Sequence, residues 1–215
     1  MGQKSALILG ASGLIGSEVL KLCLDSDVYK TVIAPVRRPL LIDHKKLVEK
    51  VIDFDMPPWE DLFPADHVYC CLGTTIKIAG SKLNFRKVDH DYPLAFGSAA
   101  KKWKASVFSI ITAAGSNANS KIFYNRVKGE LESNLKSLIL NSTLIFQPSL
   151  LIGNRNEFRL GEKIMIGVAN LTSWMTPKSV RAIHSKIVAK AMVLGTISNK
   201  IGFNIISNKE MHRIG

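Results

Sequence analysis

The chain has 215 residues, 47% of them hydrophobic and 21% charged, a length and composition that fit one domain with a full core and a sheet covered on both faces. No uninterrupted apolar stretch approaches the ~20 residues of a membrane span; the best, 138–152, is broken by Asn141, Ser142, Thr143, Gln147 and Pro148. The net charge of +12 lies in the second half, where residues 101–215 carry 17 basic against 5 acidic side chains. Such a surface solvates the protein or attracts an anionic cofactor or substrate. No aromatic stripe alternates with the bases and no nucleic-acid motif is present, so a nucleic-acid partner is not expected. Cys23, Cys70 and Cys71 make no disulfide framework, and their number and apolar settings point to a reducing cytoplasm.

Ser5 to Leu9 reads as a buried parallel strand, and Leu14 to Leu24 as the amphipathic helix it feeds. Between them stands Gly10-Ala11-Ser12-Gly13-Leu14-Ile15-Gly16. Three glycines at this spacing make a tight turn, let backbone approach a pyrophosphate, and let the helix pack closely on the strand. The helix start then offers amide groups and a positive dipole end to the phosphates. A secretory signal is not expected, because the apolar run is short, glycine-broken and soon followed by Glu18.

Thr31 to Pro35 reads as the second strand, with Arg37 and Arg38 just beyond it. In dinucleotide folds this position meets the adenosine ribose; an acid binds the 2′-hydroxyl of NAD, whereas guanidinium groups pair with the 2′-phosphate of NADP. Two arginines favour NADP over a plain solvated turn. Leu47 to Phe54 reads as the third strand, ending at Asp53 and Phe54, and Pro57-Pro58-Trp59-Glu60 opens a short helix. The fourth strand, His67 to Leu72, turns at Gly73-Thr74-Thr75, on the side where open parallel sheets bind ligands. Asn84 to Trp103 suits a long helix broken or kinked at Pro93. The fifth strand, Val107 to Thr112, is followed by Ala113-Ala114-Gly115-Ser116-Asn117.

A helix then opens at Tyr124-Asn125-Arg126-Val127-Lys128 and runs to about Leu140. Four-residue spacing puts Tyr124 and Lys128 on one face, where the lysine charge favours ionisation of the phenol and makes it a usable acid or base. In isolation the pair would be an ordinary exposed couple; the preceding dinucleotide signals give it meaning. Thr143 to Phe146 is a sixth strand ending in Gln147-Pro148-Ser149. Residues 150–178 form a small irregular segment on the substrate side, with Arg155, Arg159, Lys163 and Trp174. A last helix, Val180 to Leu194, carries His184 near its start as a packing or capping residue, and a last strand runs Ile201 to Ile206. The whole, residues 1–215, reads as a single domain: a doubly wound parallel sheet of the Rossmann type.

In this order the motifs resemble the atypical NAD(P)-binding branch of the short-chain dehydrogenase/reductase superfamily, close to the small family related to Tat-interacting protein. The resemblance rests on the glycine turn 10–16, Arg37-Arg38, Cys70-Cys71-Leu72-Gly73-Thr74-Thr75, Val88-Asp89-His90-Asp91-Tyr92, the Tyr124/Lys128 pair and Gln147-Pro148. It implies that Gly10, Ser12, Gly13, Leu14, Ile15 and Gly16 hold the pyrophosphate of NADPH. Arg37 and Arg38 would hold the 2′-phosphate, Asp53 and Phe54 the adenine. Leu72, Gly73 and Thr74 would line the path to nicotinamide, with Pro148 beside the ring. Tyr124 would be the acid/base, Lys128 would hold the ribose and tune Tyr124, and Thr112 would polarise the carbonyl, with Ser116 the alternative hydroxyl. The serine usual after the fifth strand is missing, since Ala113 and Ala114 follow Thr112. Two functions are therefore expected: an NADPH-dependent oxidoreductase acting on a small, possibly anionic, carbonyl or alcohol, or a dinucleotide-sensing regulatory or protein-interaction module without turnover. No metal is expected.

Overall fold

The computed structural model describes residues 3–56, 63–153 and 181–214. Seven strands form one parallel sheet: β1 (Lys4–Leu9), β2 (Tyr29–Val36), β3 (Leu47–Val51), β4 (His67–Cys70), β5 (Val107–Ile111), β6 (Ser142–Gln147) and, after two short strands named below, β9 (Gly202–Ser207). Their order across the sheet is β3-β2-β1-β4-β5-β6-β9. The strand order reverses between the parallel neighbours β1 and β4, which opens a crevice at the strands' carboxyl ends, the doubly wound Rossmann arrangement.

Period-two side chains sort the strands between two cores. Ala6 and Ile8 of β1 join Tyr69, Leu144 and Phe146 beneath α1 (Gly16–Asp25). Leu7 and Leu9 join Val68, Cys70, Ile110 and Ile145 on the other face. That second face is covered by α4 (Tyr92–Lys102) and α5 (Phe123–Ser137), whose Phe96, Ala100, Leu131 and Leu135 belong to the same cluster. Burial on both sides is why these strands are continuous apolar runs.

Several elements differ from the sequence expectation. β3 ends at Val51, and Asp53 and Phe54 lie in the following turn. The long helix is three pieces: α3 (Lys82–Arg86), a π-helical turn (Lys87–Asp91) and α4, with Pro93 in the first turn of α4, where a missing N–H costs nothing. A short α2 (Ile76–Ala79) precedes them, capped by the Thr75 hydroxyl. Leu151–Ile152 and Ile183–His184 pair as the short strands β7 and β8. The last long helix, α6, is Ser185–Ser198, and His184 caps it by accepting the Lys186 amide at 3.3 Å. An unexpected α7 (Asn208–Ile214) closes the fold. The helix expected at Pro57 to Glu60, and most of the irregular segment near 150–178 including Arg155, Arg159, Lys163 and Trp174, lie outside the described residues.

Candidate active site

The carboxyl ends of β1, β4 and β5 place three loops side by side. Gly10 turns out of β1 with φ of +76° and packs on the backbone of Cys71 and Leu72, while the Gly13 amide donates to the Gly10 carbonyl at 2.8 Å. A Cβ on Gly16 would strike Gly10 backbone, so the third glycine is required by helix-on-strand packing. Helix α1 starts behind this turn at Ile15 with no side-chain cap. Such a start is where an anion fits, since a helix's first amides lack intrahelical acceptors, although the Ser17 amide here donates to the Gly13 carbonyl at 2.9 Å. Ser12 is exposed on the turn, Leu14 is half-buried, and Ile15 is buried beneath it.

Arg37 and Arg38 are exposed just past β2, and neither makes an ion pair with another described residue. Asp53, Asp55 and Arg37 all act electrostatically on the Tyr92 phenol, so the four groups lie near one another. Phe54 is 7% exposed, and its ring lies 5.7 Å from Tyr92 and 6.2 Å from Phe96.

Across the crevice, the Tyr124 side chain is 36% exposed at the start of α5, its ring 5.6 Å from Phe85. One turn on, Lys128 is buried, and its ammonium donates to Asp89 Oδ1 at 2.8 Å. The second oxygen of Asp89 accepts the Thr74 amide at 2.8 Å. Burial pulls the Lys128 ammonium toward neutrality, but Asp89 and then Tyr124 outweigh it, and its pKa stands above the ordinary lysine value. Leu72 and Thr74 are half-buried and Gly73 is exposed beside this pair. In the sequence Asp89 stands only within the Val88–Tyr92 stretch that carries the family resemblance, with no role of its own. The available signal was that Asp89 and Asp91 are the only acids between Asp66 and Glu130.

Thr112, at the end of β5, is 4% exposed, and its hydroxyl has no hydrogen-bond partner among the described residues. The Ser116 hydroxyl donates to the Ala113 carbonyl at 2.7 Å and is engaged in its own turn. Pro148 is buried, and its carbonyl accepts the Ala114 amide at 2.8 Å, tying the end of β6 to the loop after β5. Gly129 lets α5 sit directly on the backbone of Asn117 and Ala118, so the loop after β5 and the helix of Tyr124 are one packed unit. A cleft of about 360 Å³ beside Lys200, Ile205, Glu210 and Arg213 lies at the β9 edge and touches none of these groups. Among the described residues, no group of three histidine, cysteine or acidic side chains is placed to hold a metal.

No family model matches the chain. It is 35% identical over 159 residues to the mitochondrial protein FMP52 of Eremothecium gossypii, covering 73% of this chain and 70% of that one. It is 30% identical over 225 residues to HTATIP2 of Rattus norvegicus, covering 100% and 90%. Among solved structures, Bordetella bronchiseptica WbmH in complex with NAD+ superposes with a TM-score of 0.69 at 20% identity over 96% of this chain and 76% of that one. The fold is therefore that of NAD(P)-binding proteins. The expectation of a cytoplasmic protein is overturned, because the FMP52 relatives are mitochondrial by name. Its basis was weak for a physical reason: burial pushes the Cys23 and Cys70 thiols up to about 12, so they stay inert thiols in any compartment.

Proposed function

Because the chain belongs to the atypical short-chain dehydrogenase/reductase family that includes HTATIP2 and the FMP52 proteins, we propose that it is an NADPH-dependent oxidoreductase of a small carbonyl or alcohol. The reading is carried by one observation: a buried, charged Lys128 one turn from a solvent-accessible Tyr124, at the crevice that the glycine turn opens. The crowded Gly10–Gly16 turn and the uncapped start of α1 fit a pyrophosphate, and Arg37 and Arg38 fit a 2′-phosphate. NADPH, when bound, supplies the hydride. The protein's part is proton transfer and orientation. Tyr124 gives its phenolic proton to the forming alkoxide, Lys128 holds the ribose and favours the phenolate left behind, and the Thr112 hydroxyl donates to the substrate oxygen. The basic second half of the chain suits an anionic substrate. We also assign it to mitochondria, on the names of the FMP52 relatives.

A second reading, a dinucleotide sensor without turnover, is favoured by Ala113 and Ala114 in the place of the usual serine. The experiment is calorimetric titration with NADPH and NADH, beside NADPH absorbance loss across a panel of aldehydes, ketones and quinones. Tighter NADPH binding with turnover supports the oxidoreductase. Binding with consistent silence across the panel supports the sensor, and no dinucleotide binding defeats both.

A further inference from the structure

We propose that Asp89 is a positioning residue of this site, whose carboxylate, held between the Lys128 ammonium and the Thr74 amide, keeps Lys128 charged and aimed at the crevice. The proposal rests on the dinucleotide-binding reading and concerns what makes the lysine usable within it.

The first support is local geometry. Between α3 and α4 the backbone widens into the π-helical turn Lys87–Asp91, and the consecutive residues Asp89 and His90 are only 1% and 4% exposed. Single π-turns inside helices are rare and are frequently found at functional sites. This turn is pinned to α5 at two points. His90 is hydrogen-bonded to the Asn134 side chain at 3.0 Å, and Asp89 to Lys128 at 2.8 Å. Asp89 also reaches the loop after β4 through the Thr74 amide at 2.8 Å, and a Cβ on Gly73 would lie 3.6 Å from its Oδ1. One carboxylate thus joins three chain segments that border the crevice.

The second support is charge. An isolated buried ammonium sheds its proton, because low-dielectric surroundings disfavour the ion. The groups facing Lys128 are few. Tyr124 lies on its own helix, and Cys70 faces it from β4, with a thiol pushed up to about 12 and therefore neutral. Glu132, one turn along α5, accepts the Gln147 amide at 3.0 Å and is directed toward β6. Asp89 is the anion in direct contact, and it is the charge that outweighs burial.

The test uses the full chain and the Asp89→Asn variant, with NADPH as the probe, from about pH 7 to about pH 10.5. Wild-type affinity is expected to hold nearly constant across that range, because Asp89 keeps the Lys128 pKa above the ordinary lysine value. In Asp89→Asn the lysine loses its proton within the range, and NADPH affinity falls about tenfold or more as the pH rises, as expected for the loss of a charge-assisted contact. Asp89→Glu, which retains the charge, is expected to restore the flat profile. In parallel, NMR of 13C-labelled lysine follows the Lys128 proton directly in both proteins without any dinucleotide.

A uniform loss of affinity at every pH would mark a merely structural residue and overturn the proposal, as would Lys128 titrating alike in wild type and variant. If Asp89→Asn does not fold, a wild-type Lys128 that loses its proton below the ordinary lysine value overturns it as well. Failure of the wild type to bind NADPH at any pH, with the lysine titration as expected, defeats the dinucleotide reading and leaves the charge-holding role standing.

Discussion

Gly10 and Cys71 meet across the mouth of the crevice: a Cβ on Gly10 would lie 2.7 Å from the Cys71 carbonyl oxygen. The glycine turn after β1 and the Cys-Cys-Leu-Gly-Thr-Thr stretch after β4 are therefore built as one piece, although their motifs are far apart in the chain. Gly10 also holds a φ of +76°, which side-chain-bearing residues adopt only with strain. Gly10→Ala is expected to lower stability by about 1–3 kcal/mol and to abolish dinucleotide binding. Thermal unfolding and calorimetry check this together, and an unchanged melting temperature would mean the turn is not packed as described.

Arg37 and Arg38 stand free of described ionic partners on the rim that the second strand presents. Arg37→Asp should narrow or reverse a preference for NADPH over NADH, costing about 1.5–3 kcal/mol in NADPH affinity, roughly ten- to a hundredfold. Titration of wild type and variant with both cofactors reads this. Equal affinities in the wild type would remove the assignment to NADP.

Tyr124→Phe keeps the ring beside Phe85 and removes only the hydroxyl. For an oxidoreductase, turnover should drop about 10²–10⁴-fold with NADPH affinity nearly unchanged. Robust turnover in the variant would exclude Tyr124 as the acid.

Thr112 carries a buried hydroxyl with no hydrogen-bond partner among the described residues. Removing a buried, unsatisfied group relieves its desolvation cost, so Thr112→Val should leave stability unchanged or raise it by up to about 1 kcal/mol. If that hydroxyl serves the substrate, kcat falls in the same variant. A stability loss without a kinetic effect would assign Thr112 to the core instead.

His67 is fully buried, and its Nε2 accepts the Lys4 ammonium at 2.9 Å. The ring is therefore neutral with its proton on Nδ1, which donates to the Tyr29 oxygen at 2.8 Å, and Tyr29 in turn meets Tyr69 at 2.7 Å. Burial and then the Lys4 charge lower the His67 pKa to about 4. The unfolded chain binds this proton at higher pH than the native one. The contribution of His67 is thus complete above about pH 6.5 and is lost as the pH falls toward about 4, on the order of 3 kcal/mol. Denaturant unfolding at stepped pH should show this acid limb in the wild type and not in His67→Gln.

Much of the fold was legible from local pattern. β1, β2, β4, β5 and β6 appear as apolar runs because both faces of a parallel sheet are buried, and the three glycines between β1 and α1 mark a turn that no other residue could make so tightly. Tyr124 and Lys128 were legible for the same kind of reason, since four residues on a helix is one turn. The seven-residue α7 was missed because it is too short to show a helical period. The division of 82–102 into two helices and a π-turn was missed because the extra residue of a π-turn leaves no mark in composition.

What the sequence by itself determined was the sheet, its turns and the side chains brought to one end of it. Which of them act together was decided only by the tertiary structure. Asp89 stands in the sequence as one acid of a short acidic pair, and only the packing of the π-turn against α5 sets it on Lys128. Likewise Thr112 and Ser116 are equivalent as written; folding engages the serine in its own turn and leaves the threonine hydroxyl unpartnered among the described residues. Phe54, too, packs its ring against Tyr92 and Phe96, partners that only folding brings to it. The reason is common to all three: burial and partner choice depend on groups distant in the chain, and no local period or spacing encodes a contact between them.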